Sequence, residues 1–275
     1  MPTLPSGGEP ERDEPPVHRQ RATAESFGVD AARYDRARPS YPRALAERIV
    51  SLLAPSRDVL DVGCGTGISS RLFRAEGCTV LGVDPDARMA ELARRRYQLA
   101  VEKGVFEEWD PCGRTFDAVV SGQAWHWVAP DAGAARAARV LRPGGVLAPF
   151  WNAADPAPAL GEAFAEVYAR LLPDSPAAAW GDRPAVEAYE IMCAMAADGM
   201  REAGGFGAPE VRRFGWQHTY TRAAWLDQTA TTGVHTRLPG PLLDRVLAGL
   251  GEAVDAAGGT VPVTYTTLAV VAVRE

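Results

Sequence analysis

The stretch "VLDVGCGTGISS", residues 59–70, decides the fold. It begins as a short apolar strand, passes through glycines at alternate positions (Gly63, Gly65, Gly67), and continues into polar residues that open a helix. Glycines at this spacing let something approach the backbone closely, because no side chain stands in the way. A nucleotide phosphate, a different cofactor and the neighbouring helix all fit that description at this point.

Working outward, the same strand-then-helix pattern recurs. Strand 58–63 leads to a helix at 67–76, and strand 79–84 leads to a helix at 86–96. A shorter strand lies at 99–102. Strand 116–122 leads to a helix at 131–141, "RPGG" (142–145) reads as a turn, and 146–151 is the next strand. Apolar strands alternating with helices imply a parallel sheet covered on both faces. Upstream, 25–42 reads as a short helix carrying Phe27 and Tyr34, broken at Pro39 and Pro42, and a helix follows at 43–53. Beyond 152 the pattern changes. Helices are expected at 158–172, 184–203, 222–231 and 240–257, with strands at 210–219 and 260–274 pairing antiparallel at a sheet edge. The fold class is therefore α/β, a Rossmann-like doubly wound seven-stranded sheet, mostly parallel with an antiparallel last strand, plus helical cap insertions.

The chain has 275 residues, 47% of them hydrophobic, enough for one large domain or a domain plus a cap. A net charge of -6 argues against nucleic-acid and anionic-membrane partners. The run "LAVVAV" (268–273) is strand length, far short of a membrane span, and no secretory pattern opens the chain. Cys64, Cys78, Cys112 and Cys193 form no CxxC pair, so no metal site is expected; reduced thiols and a cytoplasmic location are. Residues 1–20 hold five prolines and six charged residues and read as a disordered tail. Lys103 is the only lysine among 29 basic residues, a bias typical of GC-rich coding.

The glycine turn matches neither common phosphate-binding pattern. A dinucleotide turn needs GxGxxG, but Ile68 stands where its last glycine would fall. A Walker loop counted from Gly63 is broken by Ile68 and Ser69. Asp84 ends the second strand, 21 residues beyond Gly63, which puts a carboxylate beside the first turn. A carboxylate there accepts hydrogen bonds from two ribose hydroxyls and repels a 2'-phosphate. Glycine turn and acid together suit a nucleoside cofactor without phosphate.

"VLDVGCGTG" (59–67) with "GVDPDARMAELAR" (82–94) resembles the class I S-adenosylmethionine-dependent methyltransferases. "FDAVVSGQAWHWV" (116–128) and "ARVLRPGGVL" (138–147) resemble the segments around the fourth strand and before the fifth in its small-molecule members. "YDRARPSYP" (34–42) and "GVFEEW" (104–109) resemble a bacterial subgroup. The resemblance is strong over 25–152. It implies S-adenosyl-L-methionine as cofactor. The turn formed by Asp61, Gly63, Gly65 and Gly67 would lie against its amino-acid moiety, and Asp84 would hold the ribose. Pro85, Met89, Phe106 and Glu107 would border the adenine. Gln123 and Ala124 would offer contacts near the sulfonium, while Tyr34 and Arg38 would cover the cofactor's carboxylate from a lid helix. Trp125, Trp127, Trp151 and Asn152 would border the acceptor, with His126 as a catalytic base. Trp180, Tyr189, Trp216, His218 and His235 are further acceptor-side candidates, although core packing explains them equally well.

The implied organisation is a tail (1–20), lid helices and cofactor part (21–152), and acceptor-binding helices and closing strands of the same domain (153–275). The implied activity is methyl transfer to a small-molecule acceptor, with secondary metabolism as the implied setting, by a monomer or homodimer. Oxygen, nitrogen and carbon acceptors stay open. So does the same cofactor used for a different reaction such as cyclisation. A nicotinamide oxidoreductase is disfavoured by GxGxG.

Overall fold

The computed structural model describes residue 18 and residues 26–179 and 183–275. The tail and Trp180 fall outside the described residues, apart from His18. In chain order, the helices are α1 (Ala31–Ala37), α2 (Arg43–Val50), α3 (Ile68–Ala75), α4 (Ala87–Tyr97), α5 (Pro130–Val140), α6 (Pro158–Leu171), α7 (Ala185–Ala203), α8 (Arg222–Thr229) and α9 (Gly240–Ala256). The strands are β1 (Asp58–Val62), β2 (Thr79–Asp84), β3 (Ala100–Lys103), β4 (Phe116–Gly122), β5 (Leu141–Pro156), β6 (Glu210–Thr221) and β7 (Thr260–Val273).

They form one seven-stranded sheet in the order β3-β2-β1-β4-β5-β7-β6. β3, β2, β1, β4 and β5 are mutually parallel, and the final strands are antiparallel. β1 lies between β2 and β4, so strand order reverses there, and such sheets bind ligands at the carboxyl ends flanking that reversal. The sequence expectation differs at "RPGG". That segment belongs to β5, with Gly144 at φ +78 and a register irregularity opposite β4 between Phe116 and Ala118. The cause is the end of the chain: Gly144 N donates to Arg274 O, and Arg274 N donates to Gly145 O. The Pro-Gly run is thereby held in an irregular strand instead of a free turn.

The chain divides into two compact units. One comprises 39–152, 189–214 and 267–275. Its core packs Leu45, Ala46 and Ile49 of α2 and Phe73 of α3 with Val59, Ala118, Val120, Val146, Ala148 and Phe150 of the sheet. Full burial of each Leu, Ile, Val or Phe side chain favours folding by roughly 1.5–3 kcal/mol. The other unit comprises 1–38, 153–188 and 215–266. Its core gathers Phe164 and Tyr168 of α6, Val246 and Leu250 of α9, and Tyr220 and Tyr265. In this unit α1 is capped by Asp30, which accepts from Arg33 N at 2.9 Å, and it is pinned to α8 by Arg33 and Arg36, both paired with Asp227.

Gly67 shows why the turn cannot carry side chains even for folding alone. It adopts φ +86 and forms the N-cap of α3. A Cβ there would stand 2.2 Å from Leu99 Cδ1. Gly67→Ala is expected to lose about 2–3 kcal/mol of stability through overpacking and left-handed strain, measured by urea unfolding. A loss below about 0.5 kcal/mol would contradict the packing account.

Candidate functional site

The glycine turn follows β1 directly and leans on β2: Gly63 N donates to Val83 O at 2.8 Å. Gly63, Gly65 and Gly67 all have positive φ, which an L side chain rarely adopts. Their surroundings differ. A Cβ on Gly63 would meet Ala124 Cβ at 2.5 Å, so Gly63 and Ala124 pack on one another. Gly65 faces open space, its nearest neighbour being Met89 Cε at 3.7 Å. Of the turn glycines, Gly63 and Gly67 serve the fold, whereas Gly65 leaves room for a ligand.

Asp84 closes the turn from the end of β2. Its Oδ2 accepts from Gly65 N at 2.7 Å, and its Oδ1 accepts from Asp86 N at 2.8 Å. A carboxylate offers about four acceptor positions, so both oxygens keep a lone pair for further donors. The helix-capping role falls to Asp86, which accepts from Arg88 N at 2.8 Å; Pro85 between the two acids is exposed. Asp61 lies one strand away, fully buried. Its Oδ2 accepts from Ser69 and Ser70 hydroxyls at 2.6 Å each, and its Oδ1 has no partner. Burial pushes both Asp61 and Asp84 up to about 6; the like charge of Asp84 adds to the rise at Asp61, and that of Asp86 to the rise at Asp84.

β4 ends beside this turn. Gln123 follows it at φ +57, a conformation uncommon for a residue with a side chain. Its N–H donates to Phe150 O, its Nε2 donates to Asn152 O at 3.4 Å, and its Oε1 is buried without a partner. The orphaned buried atoms Asp61 Oδ1 and Gln123 Oε1 are acceptors, and so is Asp84. With the Thr66 hydroxyl also buried and unpartnered in the turn, these acceptors suit a cationic ligand bearing a diol. S-adenosylmethionine, with ribose hydroxyls, an ammonium and a sulfonium, fits these residues.

Phe106 is buried and lies 6.1 Å, centroid to centroid, from the Trp125 ring. Glu107 Oε1 accepts from Ala129 N at 2.9 Å, which ties the loop after β3 to the start of α5 and leaves Oε2 for other donors. Trp125, buried, has an unpartnered indole N–H. His126 Nδ1 accepts from Trp151 Nε1 at 3.2 Å, and the His126 and Trp127 rings are 4.7 Å apart. Trp151 and Asn152 are buried in β5. Asn152 is fully engaged within the protein: Nδ2 donates to Ser40 O and Oδ1 accepts from the Thr267 hydroxyl.

Tyr34 and Arg38 belong to the other unit. There the Arg38 guanidinium lies 4.9 Å from the Tyr34 ring centre, its Nε is buried without a partner, and one terminal nitrogen donates to Thr231 O at 3.4 Å. His235 in that unit is bonded to Tyr168 and Thr232, and Trp216 stacks on Tyr265. The sequence does not single out Ser69 and Ser70 as site residues. Their signal was positional: two hydroxyls in the first turn of α3, immediately after the glycines. Among the described residues, no group of three or more His, Cys, Asp or Glu is arranged to hold a metal, and no helix is long and apolar enough to cross a membrane.

A strand-end glycine turn, an acid one strand over and an acceptor-lined reversal of strand order define a Rossmann-like nucleoside-cofactor protein. The comparisons narrow this class. The methyltransferase-domain family matches residues 59–145. An uncharacterized methyltransferase of Mycobacterium tuberculosis is 40% identical over 131 residues, 47% of this chain and 53% of that protein. A malonyl-[acyl-carrier protein] O-methyltransferase of Enterobacter lignolyticus is 32% identical over 253 residues, 81% of this chain and 99% of that protein. The chain thus spans about half the length of the mycobacterial relative it matches and nearly all of the enterobacterial one. A solved structure from Anaeromyxobacter dehalogenans, assigned by name to the type II methyltransferases, shares the fold with a TM-score of 0.62 at 23% identity, over 85% of this chain and 97% of that one. The chain belongs to the class I S-adenosylmethionine-dependent methyltransferases.

Two outcomes follow from the geometry. Gly65→Ala is expected to cost only about 1–2 kcal/mol of stability, from left-handed strain, but to weaken S-adenosylhomocysteine binding about tenfold or more. Unchanged affinity by calorimetry would show that Gly65 faces no ligand. Asp84 accepts from two hydroxyls only when ionised, so a diol held there must expel the proton that the free protein holds below about pH 6. Affinity should therefore rise with pH through about 6, by at most about tenfold per unit for one proton, and level off above about 7. Affinity that is flat across this range, or that rises as pH falls, would contradict this role.

Proposed function

We propose that the protein catalyses methyl transfer from S-adenosylmethionine to a small-molecule acceptor. Asp84 takes the ribose hydroxyls on its two remaining lone pairs. Gly65 admits the cofactor's amino-acid part against the backbone. Asp61 Oδ1 and Gln123 Oε1 accept from its ammonium or stabilise its positive charge. Phe106, Met89, Pro85 and Glu107 border the base. Trp125, Trp127 and Trp151 wall the acceptor side. In this reading 21–152 carries the lid helices and cofactor-binding part, and 153–275 supplies acceptor-binding helices and closing strands of the same domain.

The bound cofactor supplies a methyl group already activated by a sulfonium. The chain's own contribution is alignment and exclusion of water, which favour an in-line displacement that disperses charge. The observation that carries the reading is the set of unpartnered buried acceptors around Gly65 and Asp84, which matches a phosphate-free cationic nucleoside. A place in secondary metabolism rests on the resemblance of "YDRARPSYP" and "GVFEEW" to a bacterial subgroup, taken together with the GC-type coding bias.

Calorimetry with S-adenosylhomocysteine and with NADH, followed by transfer of a labelled methyl group, tests the proposal. The expected result is binding of the first compound only and label in an added acceptor. Asp84→Ala should weaken S-adenosylhomocysteine about tenfold to a hundredfold, the loss of two hydrogen bonds to a charged acceptor. NADH binding would contradict the cofactor assignment. Cofactor binding without methyl transfer, with a rearranged product instead, would contradict the reaction.

A further inference from the structure

His126 occupies the 3-10 turn Trp125–Trp127, three residues past the Gly122 end of β4. Its Nδ1 accepts the hydrogen bond from Trp151 Nε1. An indole N–H is a donor with no acceptor capacity, so Nδ1 must present a lone pair. A neutral imidazole carries one proton, and that proton is therefore on Nε2. Trp151 is fully buried, so the arrangement is held from both sides. Protonating Nδ1, or turning the ring away, would leave a buried indole N–H without a partner.

The surroundings give the ring no reason to become cationic. Desolvation alone acts on it and lowers its pKa to about 3, and no carboxylate offsets that shift among the described residues. The neighbouring rings, Trp127 and Trp151, are uncharged. The Glu107 carboxylate, bonded where the loop leads into α5, is engaged by Ala129 N. A general base needs an unprotonated nitrogen facing the acceptor. Here the only unprotonated nitrogen already holds Trp151.

We propose that His126 donates a hydrogen bond to the acceptor through Nε2–H and takes no proton from it, and that the acceptor it orients is a carboxylate. This rests on the methyl-transfer reading above. Without a base, the nucleophilic atom must already be free of its proton at neutral pH. A hydroxyl, thiol or carbon acid does not meet that condition, and a neutral amine offers donors where His126 also presents a donor. A carboxylate meets both conditions: one oxygen attacks while the other accepts from Nε2–H. The O–C bond forms as the C–S bond breaks, and the bonding pair leaves on sulfur. The products are a methyl ester and S-adenosylhomocysteine, with no proton released or consumed.

Nitrogen NMR of the histidine-labelled full chain, with and without S-adenosylhomocysteine, reads the tautomer directly. The proposal expects His126 as the neutral Nε2–H form at every point from about pH 5.5 to about pH 8.5, on either side of the ordinary histidine pKa. Titration near 6.5, or an Nδ1–H signal, overturns it. This readout stands whether or not methyl transfer is seen, whereas failure to bind S-adenosylhomocysteine would strike the cofactor reading alone. The chemistry is read with labelled S-adenosylmethionine and carboxylic acids set beside the alcohol and amine of the same skeleton. The expected label sits in the acids and is released as methanol by alkali. Alkali-stable label, or label in no acid, overturns the carboxylate assignment. His126→Gln keeps a donor near the Nε2 position and is expected to retain activity within about tenfold, while His126→Asn lacks it and loses about a hundredfold. Equal loss in both variants, with cofactor affinity intact, overturns the donor role.

Discussion

Asp84 accepts from the Gly65 backbone N–H at 2.7 Å, and that hydrogen bond joins the end of β2 to the turn after β1. It holds the turn in a left-handed path that only glycine follows without strain, and it holds the carboxylate facing the open side of Gly65. The bond is possible because β1 and β2 run parallel in register, Val62 opposite Val83, so both strands deliver their last residues at one level. The cost is a carboxylate kept out of water, visible in the raised proton affinities of Asp84 and its neighbour Asp61. Such perturbed acids beside unpartnered acceptors are the physical mark of a site made for another molecule.

The two faces of the glycine turn also separate folding from function. Gly67 packs against Leu99, and Gly63 against Ala124, so those positions are dictated by the protein's own interior. Gly65 is required by its left-handed backbone, and a Cβ there would meet only Met89 Cε, at the ordinary contact distance of 3.7 Å. The same separation appears after β4, where Asn152 and Trp151 spend their polar atoms on Ser40, Thr267 and His126, leaving Gln123 Oε1 and the Trp125 indole as the unspent groups. Residues that looked alike in sequence, all polar or aromatic near one strand end, divide into those that build the wall and those that face what it encloses.

Much of the fold was legible because its strands are apolar runs with sharp polar or glycine borders. "TVLGVD" and "FDAVVSG" became β2 and β4 with the expected limits. "RPGG" was misread as a turn because local Pro-Gly chemistry gives no hint that Arg274, over a hundred residues away, pairs with Gly144 and Gly145. Motif order singles out Asp61, Gly65, Asp84 and Gln123, and the structure brings them to the ends of β1, β2 and β4. The state of His126 was not legible, because it depends on Trp151 from a different strand. Nor was the load already carried by Glu107, since its partner Ala129 lies at the start of a helix that the motif does not include.

The most direct test of the central claim is a crystal structure of the full chain with S-adenosylhomocysteine. The account predicts both ribose hydroxyls within hydrogen-bonding distance of the Asp84 carboxylate, and the homocysteine backbone lying across Gly65 with nothing displaced. A nucleoside bound elsewhere, with Asp84 engaged only by Gly65 and Asp86 and the space above Gly65 vacant, would contradict it.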